Sequence, residues 1–232
     1  MKDILKRITA FILVFVIAFS VLTLTSCNRR FDEEEVLEAA QDLLKRAEML
    51  NIVYFGDGIK YYDTDDQTLG YYRKANIQHL EELGFGTIDE LKKITDETFS
   101  ERYAAMVYST VLSSITSDTA IVSPARYYQV YDEETDAPSH IMVYSKYNNL
   151  LTSDITYDYG TLRVEGSKKQ RVNLLIDATV SNDEGKTQTV TVTVTLVEDE
   201  SGWRLDNHTF ANYSELADRY NELENQSNKK NK

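Results

Sequence analysis

Three hydrophobic patterns follow one another along the chain: a mainly apolar run broken by Thr9, Ser20 and Thr23, then apolar residues at helical spacing, then alternation. The run covers residues 8–24, about 17 residues, behind the basic head Lys2, Lys6 and Arg7 and ahead of Thr25-Ser26-Cys27. That length is at the short edge for a stable membrane-spanning helix and suits the apolar part of an export leader. After Phe31, Val36, Ala40, Leu43, Ala47 and Leu50 recur at spacings of four and three, with Leu37 and Leu44 beside them. This stripe predicts a one-sided helix over 33–51, opened by Asp32 with Glu35 three residues on.

The helical pattern continues in shorter pieces. Residues 51–70, with Gly56-Asp57-Gly58 and the acids Asp63, Asp65 and Asp66, predict a loop. A weaker helical pattern over 71–83 stops at Gly84. Thr87 and Glu90 then form a capping box ahead of Leu91, Ile94 and Thr98, and Ser100 can cap a helix lined by Tyr103, Val107 and Val111. None of these helices has a partner sheet nearby in the sequence.

Alternation takes over after Pro124. Segments 126–132, 140–147 and 155–164 predict strands rich in tyrosine, threonine and branched residues. The strongest signal is a pair: Val172, Leu174, Ile176, Ala178 and Val180, then Val190, Val192, Val194 and Leu196, joined by Asn182-Asp183-Glu184-Gly185. Such a pair predicts a long hairpin with one buried and one wet face. A turn at 199–202 leads into Trp203-Arg204-Leu205, a short helix is expected around Leu216 and Tyr220, and the polar tail is expected to be disordered.

Helices followed by five to six antiparallel strands predict an α+β fold, with the helices packed on a curved sheet. The division expected is a leader over 1–26, a tether over 27–31, one domain over 32–222 and a tail over 223–232. In this order of elements, over about Glu33 to Phe210, the chain resembles the nuclear transport factor 2-like (SnoaL-like) superfamily, which implies a cone-like sheet wrapped around helices. A cystatin-like sheet on a helix is the competing architecture. Leu24-Thr25-Ser26-Cys27 resembles the lipobox of bacterial lipoproteins. That resemblance implies cleavage between Ser26 and Cys27 and lipidation of the Cys27 sulfur; an ordinary secretory signal or an uncleaved anchor competes with it. The stretch from Leu50-Asn51 to Gly58, with Tyr71-Tyr72-Arg73, is similar to lipoproteins of Gram-positive gut bacteria. Together these imply a membrane-anchored protein on the extracytoplasmic face of the cell membrane.

Charge narrows the partners. The formal net charge is −13, and the chain from Cys27 on carries −15, because the leader holds Lys2, Lys6 and Arg7 against Asp3. An acidic chain lacks the basic footprint that nucleic acid requires. The expected partners are the membrane, through the lipid, and a cell-envelope protein or small ligand. Cys27 is the sole cysteine, so lipidation leaves no thiol for disulfides or nucleophilic work.

Candidate chemistry is sparse. Gly56 and Gly58 lack the third glycine of a dinucleotide fingerprint, since Tyr61 stands there. A calcium loop counted from Asp63 meets Thr68 and Lys74 where glycine and an acid are needed. No histidine or cysteine spacing suits zinc, and no cofactor is expected. Enzymes of the superfamily resembled use an acid or an Asp–His pair inside the cone, which makes Asp177, Asp206 and His208 the candidate acid–base residues. Asp206 and His208 share a face if they lie on a strand, although a solvated strand end is the plainer reading of the pair. Of the other histidines, His79 reads as a helix-surface residue and His140 as the start of an edge strand. Of sixteen tyrosines, Tyr54, Tyr61, Tyr62, Tyr127 and Tyr131 are candidate binding residues, with Tyr71, Tyr72 and Tyr128 beside them; half-buried packing is the plainer role. The functional expectation is a non-catalytic ligand- or protein-binding module. Its alternatives are an isomerase, dehydratase or hydrolase, or a regulator of cell-wall enzymes.

Overall fold

The computed structural model describes residues 31–63, 70–116, 121–149, 154–181, 187–207 and 209. Ser26, Cys27, His208, the 182–185 turn, the helix expected near Leu216 and the tail lie outside the described residues. The first element is a long helix, α1 (Glu33–Phe55). The Asp32 side chain accepts the N–H groups of Glu34 and Glu35, and Glu33, Glu34 and Glu35 sit at the positive end of the helix dipole. The helix runs four residues beyond its expected end at Asn51. Ile52-Val53-Tyr54-Phe55, expected as the start of the loop, is helical, and Val53, Tyr54 and Phe55 are all buried, so tertiary packing overrides the local reading.

The far end of α1 is closed by a residue about 70 positions away in sequence. Arg126, buried to 3 % exposure, donates from Nη1 to the Tyr54 carbonyl (2.8 Å) and from Nη2 to the Gly56 carbonyl (2.6 Å). Its guanidinium lies 4.4 Å from the Tyr147 ring centroid and 5.4 Å from that of Tyr127. The Tyr127 hydroxyl donates to the Val53 carbonyl and accepts the Ile59 N–H at 3.2 Å. Gly58 has φ +75° in the same knot, and a Cβ there would stand 2.2 Å from Arg126 Nη2. Only glycine fits both the conformation and the space.

The 71–83 segment divides. Tyr72–Lys74 is a strand, β1, and a shorter helix, α2 (Ile77–Leu83), follows with Asn76 as its N-cap and Gly84 at φ 81° as its left-handed C-cap. The expected capping box is present: Thr87 and Glu90 open α3 (Ile88–Thr98). Ser100 caps α4 (Glu101–Val111). Among the described residues no helix is long and apolar enough to cross a membrane.

The strands form separate antiparallel sheets rather than the single sheet of five or six expected. β4 (Tyr127–Tyr131) and β1 flank β5 (Pro138–Tyr144) in a three-stranded sheet. A two-stranded ribbon pairs β2 (Ile115–Thr116) with β3 (Ile121–Ser123). The four-stranded sheet has the order β6 (Asp154–Lys168), β7 (Arg171–Ser181), β8 (Thr187–Asp199) and β9 (Gly202–Leu205). The β7–β8 hairpin has the expected alternation: Leu174 faces Val194, Ile176 faces Val192, and Val172, Leu174, Ile176 and Ala178 point into the core. Between Asp158 and Arg163 the register of β6 on β7 jumps, so residues 159–162 form a wide bulge. Helix α1 lies across this sheet and touches both edge strands, β6 and β9.

A polar strap closes the core after β9. Asp206 Oδ1 accepts the Ser100 hydroxyl at 2.5 Å, while its other oxygen pairs with Arg171. Asn207 accepts the Thr195 N–H and donates to the Thr193 carbonyl, each at 2.8 Å. Buried Asn51 of α1 donates to Thr209 Oγ1 at 2.8 Å, and the Tyr157 hydroxyl donates to the Thr209 carbonyl.

Two stability outcomes follow. Replacing Arg126 with Met keeps most of the apolar contact but strands two helix-end carbonyls; urea denaturation should show a loss of about 3 kcal/mol. Separately, burial raises the Glu48 carboxyl above its ordinary value, against the pull of Tyr159 and Lys45. A raised folded-state pKa means stability present in acid and lost as pH rises through that pKa. Glu48→Gln, which mimics the protonated acid, should raise Tm at pH 7 and leave it unchanged near pH 4.

Candidate functional site

The three-stranded sheet, α2 and the start of α3 line a groove of about 470 Å³. Its floor is apolar: Ala75, Leu80, Phe85 and Ile141 are buried. Lys74 of β1, Ser139 and His140 of β5, Glu81 of α2 and Glu90 of α3 also line it. Gln129 braces the groove from behind, accepting the Ile88 N–H at 3.1 Å and donating to the His140 carbonyl at 3.0 Å. Thus the start of α3 is tied to the same strand pair that holds His140.

The polar groups differ in how far they are already engaged. Glu90 Oε2 accepts the N–H of Gly86 at 2.6 Å and of Thr87 at 3.1 Å, which lowers the Glu90 carboxyl below its usual value. Lys74 and Glu81 are exposed and make no ion pair among the described residues. Ser139 Oγ and His140 Nδ1 lie 3.0 Å apart. Desolvation, followed by the charge of Lys74, lowers the His140 pKa, so the ring is neutral at pH 7.

The sequence-predicted candidates scatter. Asp177 lies opposite the buried side of β7, where its Oδ1 accepts the Thr191 hydroxyl at 2.7 Å and stands 4.0 Å from Arg163. It is therefore not an interior acid. Asp206 follows β9 instead of lying on a strand, and its side chain is 4 % exposed, so a solvated strand end is also incorrect. Ser100, Arg102 and Arg171 occupy its carboxylate, which holds the strap in place. His140 sits on the middle strand rather than an edge. His79 is partly buried on α2, with Nδ1 accepting the Lys60 N–H at 3.0 Å.

Tyrosines divide the same way. Tyr54 and Tyr127 are core residues, and the Tyr54 hydroxyl is 2.7 Å from Thr95 Oγ1, so neither offers a binding face. Tyr61, Tyr62 and Tyr131 are exposed. Tyr72, Tyr128 and Tyr144 share the outer face of the three-stranded sheet, with centroids 4.8 and 5.2 Å apart, and Met142 is buried among them. Lys74, Glu81 and Ser139 carry no local signal of a site. Lys74 and Ser139 line one groove only because β1 pairs with β5 across almost 70 residues of sequence.

Among the described residues no group of three or more His, Cys, Asp or Glu is placed to hold a metal ion. No protein-family model matches the chain, and no curated protein matches it. The groove's electrostatics can be checked directly. In an NMR titration His140 should show a midpoint below the ordinary 6.5, and Lys74→Met should move that midpoint part of the way back up.

Proposed function

We propose that this protein is a lipid-anchored, extracytoplasmic binding module that takes a small ligand in the groove between β1, β5 and α2. The observation carrying this reading is the groove itself: a buried apolar floor beneath ionisable groups that the fold leaves unpaired. Sites of this kind bind by burying an apolar body and fixing its orientation with a few polar groups. The acids expected to act as catalysts argue against the enzyme alternative, since Asp206 and Asp177 are engaged in holding strands and strap. A groove of this size favours a small ligand over a cell-envelope protein as the main partner. The lipobox-like Leu24-Thr25-Ser26-Cys27 supports lipidation at Cys27, and the long helix across a bulged sheet supports a cone-like fold of the nuclear transport factor 2 type.

Two measurements test the reading. Cys27→Ser should abolish lipid labelling and release the protein from membranes; retention with labelling intact would refute the anchor. For the groove, an NMR fragment screen should shift resonances of Ala75, Phe85 and Ile141 together. Gly86 has ordinary backbone angles, and only Glu90 Oε2 lies near a Cβ added there, at 3.6 Å, so Gly86→Trp can fill the groove without strain. That variant should keep its Tm and lose the fragment response. Fragments that bind it unchanged would place the site elsewhere.

A further inference from the structure

We infer that residues 213–223 of this chain form a helix that seats its apolar side on the half-buried end of the four-stranded sheet's core face and closes it. The core face loses its cover toward one end on three strands at once. On β7, Val172, Leu174, Ile176 and Ala178 are buried and Val180 is half-buried. On β8, Leu196 and Val194 are buried, while Val192 and Val190 are half-buried. On β6, Tyr157 is buried and Ile155 is half-buried. The register brings these residues together: Ile155 pairs with Val180, and Val190 and Val192 pair with Ala178 and Ile176. The result is an aliphatic strip three strands wide, about 10 Å across, toward the Ser181–Thr187 end of the hairpin.

Thr209, the last described residue, lies beside this strip. It is held from two sides. Its hydroxyl accepts the Asn51 amide of α1 at 2.8 Å, and its carbonyl accepts the Tyr157 hydroxyl. Tyr157 is two residues from Ile155 on the same face of β6. The 23 residues that follow Thr209 therefore start at the edge of the strip. Four residues separate Thr209 from Tyr213, a reach of at most about 14 Å, enough to cross a strip of that width.

The pattern of those residues fits the strip. Tyr213, Leu216, Ala217, Tyr220 and Leu223 share one side of a helix, and Glu215, Asp218 and Glu222 fall on the other. Asn212 with Glu215 three residues on is a helix-start signal. Residues 213–223 as a helix are about 16 Å long, which spans the three strands and leaves the acids toward water. A second copy of the chain fits less well. Four half-buried aliphatic side chains expose far less than the roughly 800 Å² per partner that a stable interface covers. With the segment seated, this face is closed core and takes no ligand, which leaves ligand binding to the groove lined by β5 and α2.

An unsupported helix of this length is marginal in water, so slowed amide exchange in the segment reports docking. Hydrogen-exchange mass spectrometry on the full chain in lipid nanodiscs should show residues 213–223 exchanging about tenfold or more slowly than a free peptide of the same sequence. Val192→Asp should return the segment to the peptide's rate while α1 keeps its protection. Leu216→Asp, which leaves the described core untouched, should shift the methyl NMR resonances of Ile155, Val180 and Val190 and leave those of Leu174 in place. Fast exchange of 213–223 in the unaltered chain overturns the inference, and so do strip methyls that ignore Leu216→Asp. Protection that grows with protein concentration would assign the strip to a second copy and overturn it as well.

Discussion

A buried cation with no acid beside it holds the two parts of this structure together. Helix α1 gathers its carbonyl dipoles at Phe55, and the exposed-carbonyl end of a helix attracts positive charge. Arg126 meets that end with two hydrogen bonds, while the rings of Tyr127 and Tyr147 cover its faces. No carboxylate lies within 4.0 Å of it among the described residues, so carbonyl dipoles and aromatic faces do the compensating. The planar guanidinium suits this place because it can donate in its plane and stack above and below it. Since Arg126 directly precedes β4, the contact sets where the three-stranded sheet stands relative to the long helix. The groove inherits that setting.

A second polar anchor acts at the other sheet. Asp206 binds a serine that caps α4 and an arginine from β7, so one carboxylate ties a helix start, a strand and the segment after β9. Arg102 and Arg171, both largely exposed, reach it from the solvent side. Asp177 does similar work on the outer face with Thr191. Asp177 and Asp206, the acids that suggest acid–base chemistry in the sequence, are thus consumed here by architecture.

What could be read in advance was local. Asp32, Thr87 and Ser100 announced helix starts because capping needs only a side chain and the next turn. The β7–β8 alternation was legible because one face is buried and the hairpin fixes its own register. Residues 52–55 were misread as loop because the Gly56-Asp57-Gly58 turn follows at once and nothing local shows that a core claims Val53, Tyr54 and Phe55. Arg126 was invisible for a different reason: nothing near it in sequence indicates a helix end about 70 residues earlier. The same holds for Lys74 and His140, which the β1–β5 pairing joins. Separation into distinct sheets was likewise hidden, since strand pattern gives faces and not neighbours.

The position of the proposed anchor adds a constraint of its own. Phe31, just before α1, packs edge-on against Trp203 of β9, with centroids 5.2 Å apart. Cys27 stands four residues earlier, a reach of at most about 14 Å along the chain. If Cys27 is lipidated as proposed, the lipid holds the Phe31–Trp203 end close to the bilayer. Glu33, Glu34, Glu35 and Asp199 surround that end, and anionic headgroups repel them, so it cannot lie deep in the interface. The groove is joined to that end through α3, whose Glu90 lines the groove and whose Asp96 carbonyl accepts the Arg204 Nε–H beside Trp203.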